Sequence, residues 1–250
     1  MDIHAILFDV NGTLIDILTD EHMPDIYRKI RNFLSYQGVY IHRTDLQELY
    51  FQLLKEQKKN SKETYPEFDA VAIWDKILHL KETEYTKALP PNVLAALPLT
   101  LAQLFRSASF CRKLRLYPDV QKVLDQLHMH YPLGIVTNAQ SAYGLPELRN
   151  VGIAHYFNPI VISGDYGYCK PDTRLFQKAF DVLNVKPENT IFVGNDMFHD
   201  VLGAKQAGSK VVFFSSNQGD QSYYDVHPDY IIKKFADLPL AIDFLKKAKN

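Results

Sequence analysis

Cysteine is nearly absent from this 250-residue chain, with only Cys111 and Cys169. Two thiols cannot build a disulfide framework, and such scarcity fits a reducing compartment, so a cytoplasmic address is expected. Long apolar runs are missing as well. None approaches the roughly 18 residues a spanning helix needs. Asp9 interrupts the first run, Ala5-Ile6-Leu7-Phe8, so neither a secretory leader nor a membrane partner is expected. There is no excess charge of either sign. Lys plus Arg number 28 and Asp plus Glu 29, for a formal charge of -1, which excludes nucleic-acid binding driven by bulk electrostatics. The nine histidines are scattered without metal-ligand spacing. No internal repeat or low-complexity tract is found. The chain is 46% hydrophobic and 23% charged, the profile of a folded globular protein. Its length suits one large domain or a core carrying an inserted module.

Local patterns favour the second arrangement. Ala5 to Phe8 reads as a buried strand, because the short apolar run is closed by the polar turn Asp9-Val10-Asn11-Gly12-Thr13. From about Ile17 to Arg115 no buried strand is convincing. Four apolar stripes recur there at three- and four-residue spacing: Tyr27/Ile30/Phe33/Leu34, Leu46/Leu49/Tyr50/Leu53/Leu54, Val71/Trp74/Ile77/Leu78 and Leu97/Leu101/Leu104/Phe105/Ala108. They predict a small helical bundle whose aromatics, including Trp74, Tyr65 and Phe68, are expected to fill its core. After Tyr117-Pro118 the pattern alternates. Strands are expected at Leu133–Val136, Ile160–Ile162, Thr190–Val193, Lys210–Phe214 and Tyr230–Ile232, separated by amphipathic helices and closed by a helix at Leu238–Lys247. Such alternation implies an α/β fold, a Rossmann-like three-layer core on a parallel sheet. The expected division is residues 1–16 and 116–250 as core and 17–115 as an inserted all-helical domain.

In open α/β sheets, ligands bind outside the carboxyl ends of the strands. Asp9, Asn11 and Thr13 stand after the first strand, Thr137 and Asn138 after the next, Lys170 after the third, and Asn195, Asp196 and Asp200 after the fourth. If these strands are neighbours, several carboxylates, a lysine and a hydroxyl converge. Carboxylates around one point repel and need a cation, and oxygen ligands favour a hard ion such as Mg²⁺. A lysine and a hydroxyl beside it can hold a phosphate. Displacement at phosphorus with a carboxylate nucleophile suits this set.

Phe8-Asp9-Val10-Asn11-Gly12-Thr13-Leu14 resembles the first signature of the haloacid dehalogenase superfamily, Asp-x-Asp-Gly-Thr in most phosphatase members. Thr137-Asn138 resembles the second motif, Lys170-Pro171-Asp172 the third, and Val193-Gly194-Asn195-Asp196 through Asp200 the fourth, in family order and each after an expected strand. A helical cap between the first and second motifs is also the family arrangement. The resemblance implies that Asp9 attacks phosphorus and forms an aspartyl-phosphate. Thr137 would hold the phosphoryl oxygens with backbone N–H groups of the first loop and of Asn138, and Lys170 would neutralise charge on Asp9 and the phosphoryl group. Gly12 would allow the sharp turn, and Thr13 would brace it. Mg²⁺ would be held by acidic residues of the fourth motif, with Asp9 and the backbone carbonyl of Asn11.

Two positions depart from that pattern. Asn11 stands where phosphatases carry the aspartate that protonates the leaving oxygen and later activates water. An amide does neither at neutral pH, and general acid–base catalysis contributes about 10²–10⁴-fold, so slow turnover is expected. Gly194-Asn195 replaces Gly-Asp, which leaves two registers: Asn195 as a neutral oxygen ligand, or Asp196 in or near the metal shell, the favoured one. The expected function is Mg²⁺-dependent hydrolysis of a small phosphorylated molecule by a monomer or homodimer. A haloacid dehalogenase, whose reaction needs no such acid, and a non-catalytic member binding a phosphorylated ligand or a protein are the alternatives.

Overall fold

A computed structural model describes residues 2–111 and 114–247. Ala5–Phe8 has no polar position, as a strand covered on both faces requires, and it forms β1 at the middle of a six-stranded sheet. β4 (Leu133–Thr137) and β5 (Phe157–Ile162) lie to one side, and β6 (Thr190–Gly194), β7 (Lys210–Phe214) and β8 (Tyr230–Ile232) to the other, giving the order β5-β4-β1-β6-β7-β8. Every neighbouring pair is parallel. β5 begins three residues before the expected Ile160, because Asn158-Pro159 reads as a turn in sequence. At a sheet edge, however, proline omits no needed ladder bond.

Successive residues of a strand face opposite ways, and the two faces here have separate cores. Ile6, Phe8, Ile135, Val193 and Val212 pack with α6 (Val120–His128) and α10 (Leu238–Lys247). Leu7, Val136, Phe192, Val211 and Phe213 pack with α8 (Thr173–Leu183) and with α9 (Gly203–Gln206), which continues from a π-helical turn at Met197–Leu202. α7 (Ser141–Asn150) follows β4.

The helical insert has a third core of its own. α1 (Pro24–Tyr36), α2 (Arg43–Asn60), α3 (Ala70–Lys81) and α5 (Pro91–Ala108) bury Tyr27, Tyr50, Trp74, Leu101 and Phe105 together. The Tyr50, Trp74 and Phe105 ring centroids lie 4.5–5.4 Å apart. Proline opens α1 and α5, where a missing N–H loses no helical bond. Asp69 caps α3 by accepting the Ala72 N–H at 2.9 Å. A fifth helix, α4 (Glu84–Lys87), was not expected. It is a single turn held by a Thr83/Thr86 capping box, too short to show periodicity. Trp74 is core as expected, and Phe68 packs against the bundle. Tyr65 instead lies edge-on to Phe198 of the sheet domain, with centroids 6.0 Å apart. Among the described residues no helix is long and apolar enough to cross a membrane.

Two junctions tie insert to sheet. At the neck, β2 (Ile15–Asp16) pairs antiparallel with β3 (Arg115–Leu116), and the buried Arg106 of α5 meets Glu147 of α7 at 2.6 Å. On the opposite flank, the loop between α2 and α3 is bonded to the loops after β4 and β5. Glu67 N–H donates to Gly167 O at 3.0 Å, Cys169 N–H to Tyr65 O at 2.9 Å, and the Gln140 amide to Phe68 O at 2.6 Å.

Candidate active site

The site grows from the end of β1. Asp9 N–H donates to Val193 O at 2.9 Å, which pins its backbone to β6 one residue beyond the strand. The chain then turns tightly, with the Val10 carbonyl accepting N–H bonds from Thr13, Leu14 and Ile15. Gly12 has φ +86° there, and a Cβ would lie 2.3 Å from Asn195 Nδ2, so both conformation and space demand glycine.

Three loops meet on the Asp9 carboxylate. Oδ1 accepts Lys170 Nζ at 2.7 Å and the Thr137 hydroxyl at 3.1 Å. The Thr13 hydroxyl lies 3.3 Å from Oδ2 and donates to Asn195 Oδ1 over 2.9 Å. Lys170 Nζ also donates to Asp200 Oδ1 at 2.6 Å, and Asp200 Oδ2 accepts the N–H groups of Asn195 and Asp196, each at 3.0 Å. Lys170 and Asp200 are both 1% exposed. Burial alone would depress the Lys170 pKa, but Asp200 and Asp9 outweigh it and raise it above its ordinary value. Burial pushes the Asp200 carboxyl up to about 6, against the pull of Lys170. Two carboxylates facing one ammonium leave a single negative charge in a nearly dry place.

Asn138 and Asp196 serve as braces. The Asn138 side chain brackets the Lys170 peptide, accepting its N–H at 2.8 Å and facing its carbonyl at 3.4 Å. Asp196 caps the π-helical turn: Oδ1 accepts the N–H groups of Phe198 and His199, and Oδ2 that of Asp220. Its pKa falls well below the carboxylate range, because these bonds and His199 overcome its burial. Asn195 is the more buried of the two fourth-motif residues, 3% exposed, while Asp196, the one favoured from sequence, lines the cavity with both carboxylate oxygens engaged in the cap.

All the expected site residues come together. Asp9, Asn11, Asn138, Lys170, Asn195, Asp196 and Asp200 line one cavity of about 370 Å³, Thr137 bonds Asp9 beneath it, and Gly12 packs against Asn195. Asn11 Oδ1 is buried without a hydrogen-bond partner, a feature that calls for an occupant in a native site. Sequence reasoning missed four groups that also belong here. Lys58 and Glu67 of the insert line the cavity, as does Gln218 of the loop after β7. Ser163 donates to Glu67 Oε2 at 2.6 Å. None carried a motif or spacing that marked it. His199, one of the scattered histidines, lines the cavity too. Burial raises Cys169 to about 11, so its thiol stays protonated near neutrality.

Comparison with known proteins places this geometry. Residues 3–208 match the model of the haloacid dehalogenase-like hydrolases. The chain is 28% identical over 251 residues to a glyceraldehyde 3-phosphate phosphatase of Pyrococcus furiosus, covering 98% of this chain and 94% of that protein. It is 26% identical over 243 residues to a phosphoglycolate phosphatase of Yersinia pseudotuberculosis, covering 96% and 93%. In fold it resembles a 2-haloacid dehalogenase of Pseudomonas syringae pv. Tomato DC3000, with a TM-score of 0.70 at 22% identity over 97% of this chain and 99% of that one. This protein therefore belongs to the haloacid dehalogenase-like hydrolase family, as its four motifs implied.

Proposed function

We propose that this chain hydrolyses a small phosphate ester through an aspartyl-phosphate on Asp9, with residues 17–115 acting as a cap over the site. The observation that carries this reading is the Asp9 carboxylate, held between Lys170 and Thr137 at the floor of a cavity that suits a small ligand. The phosphatase names of the relatives from Pyrococcus and Yersinia support the same chemistry. Asp9 attacks phosphorus, and the P–O bond to the leaving group breaks. Lys170 balances charge on the nucleophile and on the phosphoryl oxygens, and the Thr137 hydroxyl turns to a phosphoryl oxygen. Water then attacks phosphorus and frees Asp9.

The donor set fits a hard divalent cation. Among the described residues no three Asp, Glu, His or Cys converge closely enough to form a ligand set. The neighbouring oxygens of Asp9, Asn11, Asn195 and Asp200 would have to serve together, in a site of net negative charge. Mg²⁺ bound there would screen charge between Asp9 and the incoming phosphate. Asp9 Oδ2 and Asn11 Oδ1 are the least engaged of these atoms.

The experiment is turnover of p-nitrophenyl phosphate with and without Mg²⁺. Wild type should hydrolyse it in a Mg²⁺-dependent reaction, and Asp9→Asn should lose roughly 10⁴–10⁶-fold, the scale seen when a nucleophile is removed. Turnover that survives Asp9→Asn, or halide release from a 2-haloacid without phosphate ester hydrolysis, would end this reading.

A further inference from the structure

Position 11 holds an amide, so the first loop offers no proton for a poor leaving group. In-line displacement puts that group on the side of phosphorus away from Asp9. Asp9 stands just past the carboxyl end of β1 in a cavity that Lys58 and Glu67 of the helical insert also line, so the leaving oxygen is placed toward the insert. The insert places one carboxyl group on the same cavity, Glu67. It is held firmly for a side chain in a loop. Its backbone N–H bonds Gly167 O, three residues before Lys170. Oε2 accepts the Ser163 hydroxyl at 2.6 Å, and Oε1 accepts the Phe68 N–H at 3.0 Å. Ser163 in turn accepts the Ala139 N–H at 3.0 Å, one residue after Asn138. Glu67 is thus tied to the loops that carry Lys170 and Thr137-Asn138, so it stays in register with the phosphoryl site.

Resting on the phosphatase reading above, we propose that Glu67 is the general acid–base of this enzyme, doing from the insert what the aspartate missing at position 11 would do from the first loop. The Glu67 carboxyl gives its proton to the leaving oxygen as the P–O bond breaks and Asp9 becomes phosphorylated. The resulting carboxylate takes a proton from water as that water attacks phosphorus and the bond to Asp9 breaks. Glu67 ends protonated and Asp9 ionised, so the cycle closes without another reactant. Burial raises the Glu67 pKa, while Ser163, the Phe68 N–H, Lys58 of α2 and His199 of the π-helical turn oppose it. Cys169 and Tyr143 also feel its charge. His199 is the weaker candidate, because its Nδ1 is bonded to Asp196 at 3.1 Å and its side chain is 40% exposed.

The test measures kcat/KM, which reports the step that breaks the ester, on p-nitrophenyl phosphate and on a short alkyl phosphate. The proteins are wild type, Glu67→Gln, Asn11→Asp and the double variant. Asn-Gly steps deamidate, so peptide masses verify position 11 in each preparation. Glu67→Gln should lose about 10²–10⁴-fold on the alkyl ester, the range of general acid catalysis. It should keep most of its rate on the aryl ester, whose leaving group needs no proton, which also shows that the variant folds. Asn11→Asp in the Glu67→Gln background should restore the alkyl rate. Equal losses on both esters, no loss on either, or no rescue would overturn the role of Glu67 while leaving the phosphatase reading intact. Absence of Asp9-dependent turnover by wild type on both esters would overturn both.

Discussion

The carboxyl end of the sheet and the helical insert are stabilised by opposite means. Around Asp9, a buried lysine and two carboxylates are held by charge and hydrogen bonds. The insert is held by the apolar packing of Tyr27, Tyr50, Trp74, Leu101 and Phe105; the Tyr27 hydroxyl donates to Glu21 O at 2.8 Å, and Trp74 Nε1 is buried with no partner. An ionic cluster tolerates no change of type, since removing one member strands the others in a dry place. An apolar bundle tolerates many sequences of similar volume. The insert can therefore vary in its core while Lys58 and the loop of residues 61–69 keep their place beside the cavity.

The largest stability effect should come from the ionic side. Lys170→Ala leaves Asp9 and Asp200 facing each other unpaired and should cost roughly 3–5 kcal/mol, the usual result of breaking a buried pair. Denaturant unfolding measures it, and a loss under about 1 kcal/mol would mean that water reaches these carboxylates freely. Leu101→Ala in the insert should cost about 2–5 kcal/mol through the cavity it leaves. It should leave turnover of p-nitrophenyl phosphate by the remaining folded protein, measured with and without Mg²⁺, unchanged. If that substitution changed the response of turnover to Mg²⁺, the two regions would not be as separate as their cores suggest. The smallest effect concerns Asp196. Asp196→Ala removes a cap and should cost about 1 kcal/mol at pH 7. The folded pKa of Asp196 lies below its ordinary value of 3.8. Its charge therefore stabilises fully above pH 3.8, and that contribution is lost as pH falls toward the folded pKa. The difference in stability between wild type and variant should shrink below pH 4. A constant difference would show that the cap acts without its charge.

The fold and most of the site were legible because their signals are local. Each strand of the six-stranded sheet is a short, mostly apolar run, and Asp9, Thr137 and Asn195 stand at the end of one. Asp9, Thr137 and Asn195 could be expected at one edge as soon as the strands were taken as parallel neighbours. The bundle was legible for the same reason, since Trp74, Ile77 and Leu78 mark a face by spacing alone. Tyr65 was misplaced because a single aromatic in a loop has no period to read. The setting of the fourth motif also needed coordinates: Asn195 and Asp196 are adjacent, and only the fold shows that Asp196 is engaged in capping the next turn.

The amino-acid sequence by itself determined the strands of the six-stranded sheet, most of the longer helices and the chemical types lined up at the sheet edge, because period and turn residues act over a few neighbours. Tertiary structure alone decided that Glu67 and Lys58 share the cavity with Asp9, and that Ser163 holds a carboxylate 96 residues away in the chain. Those contacts arise from the way an inserted bundle docks on a sheet. Docking depends on the shapes of whole surfaces, which no short stretch of chain encodes.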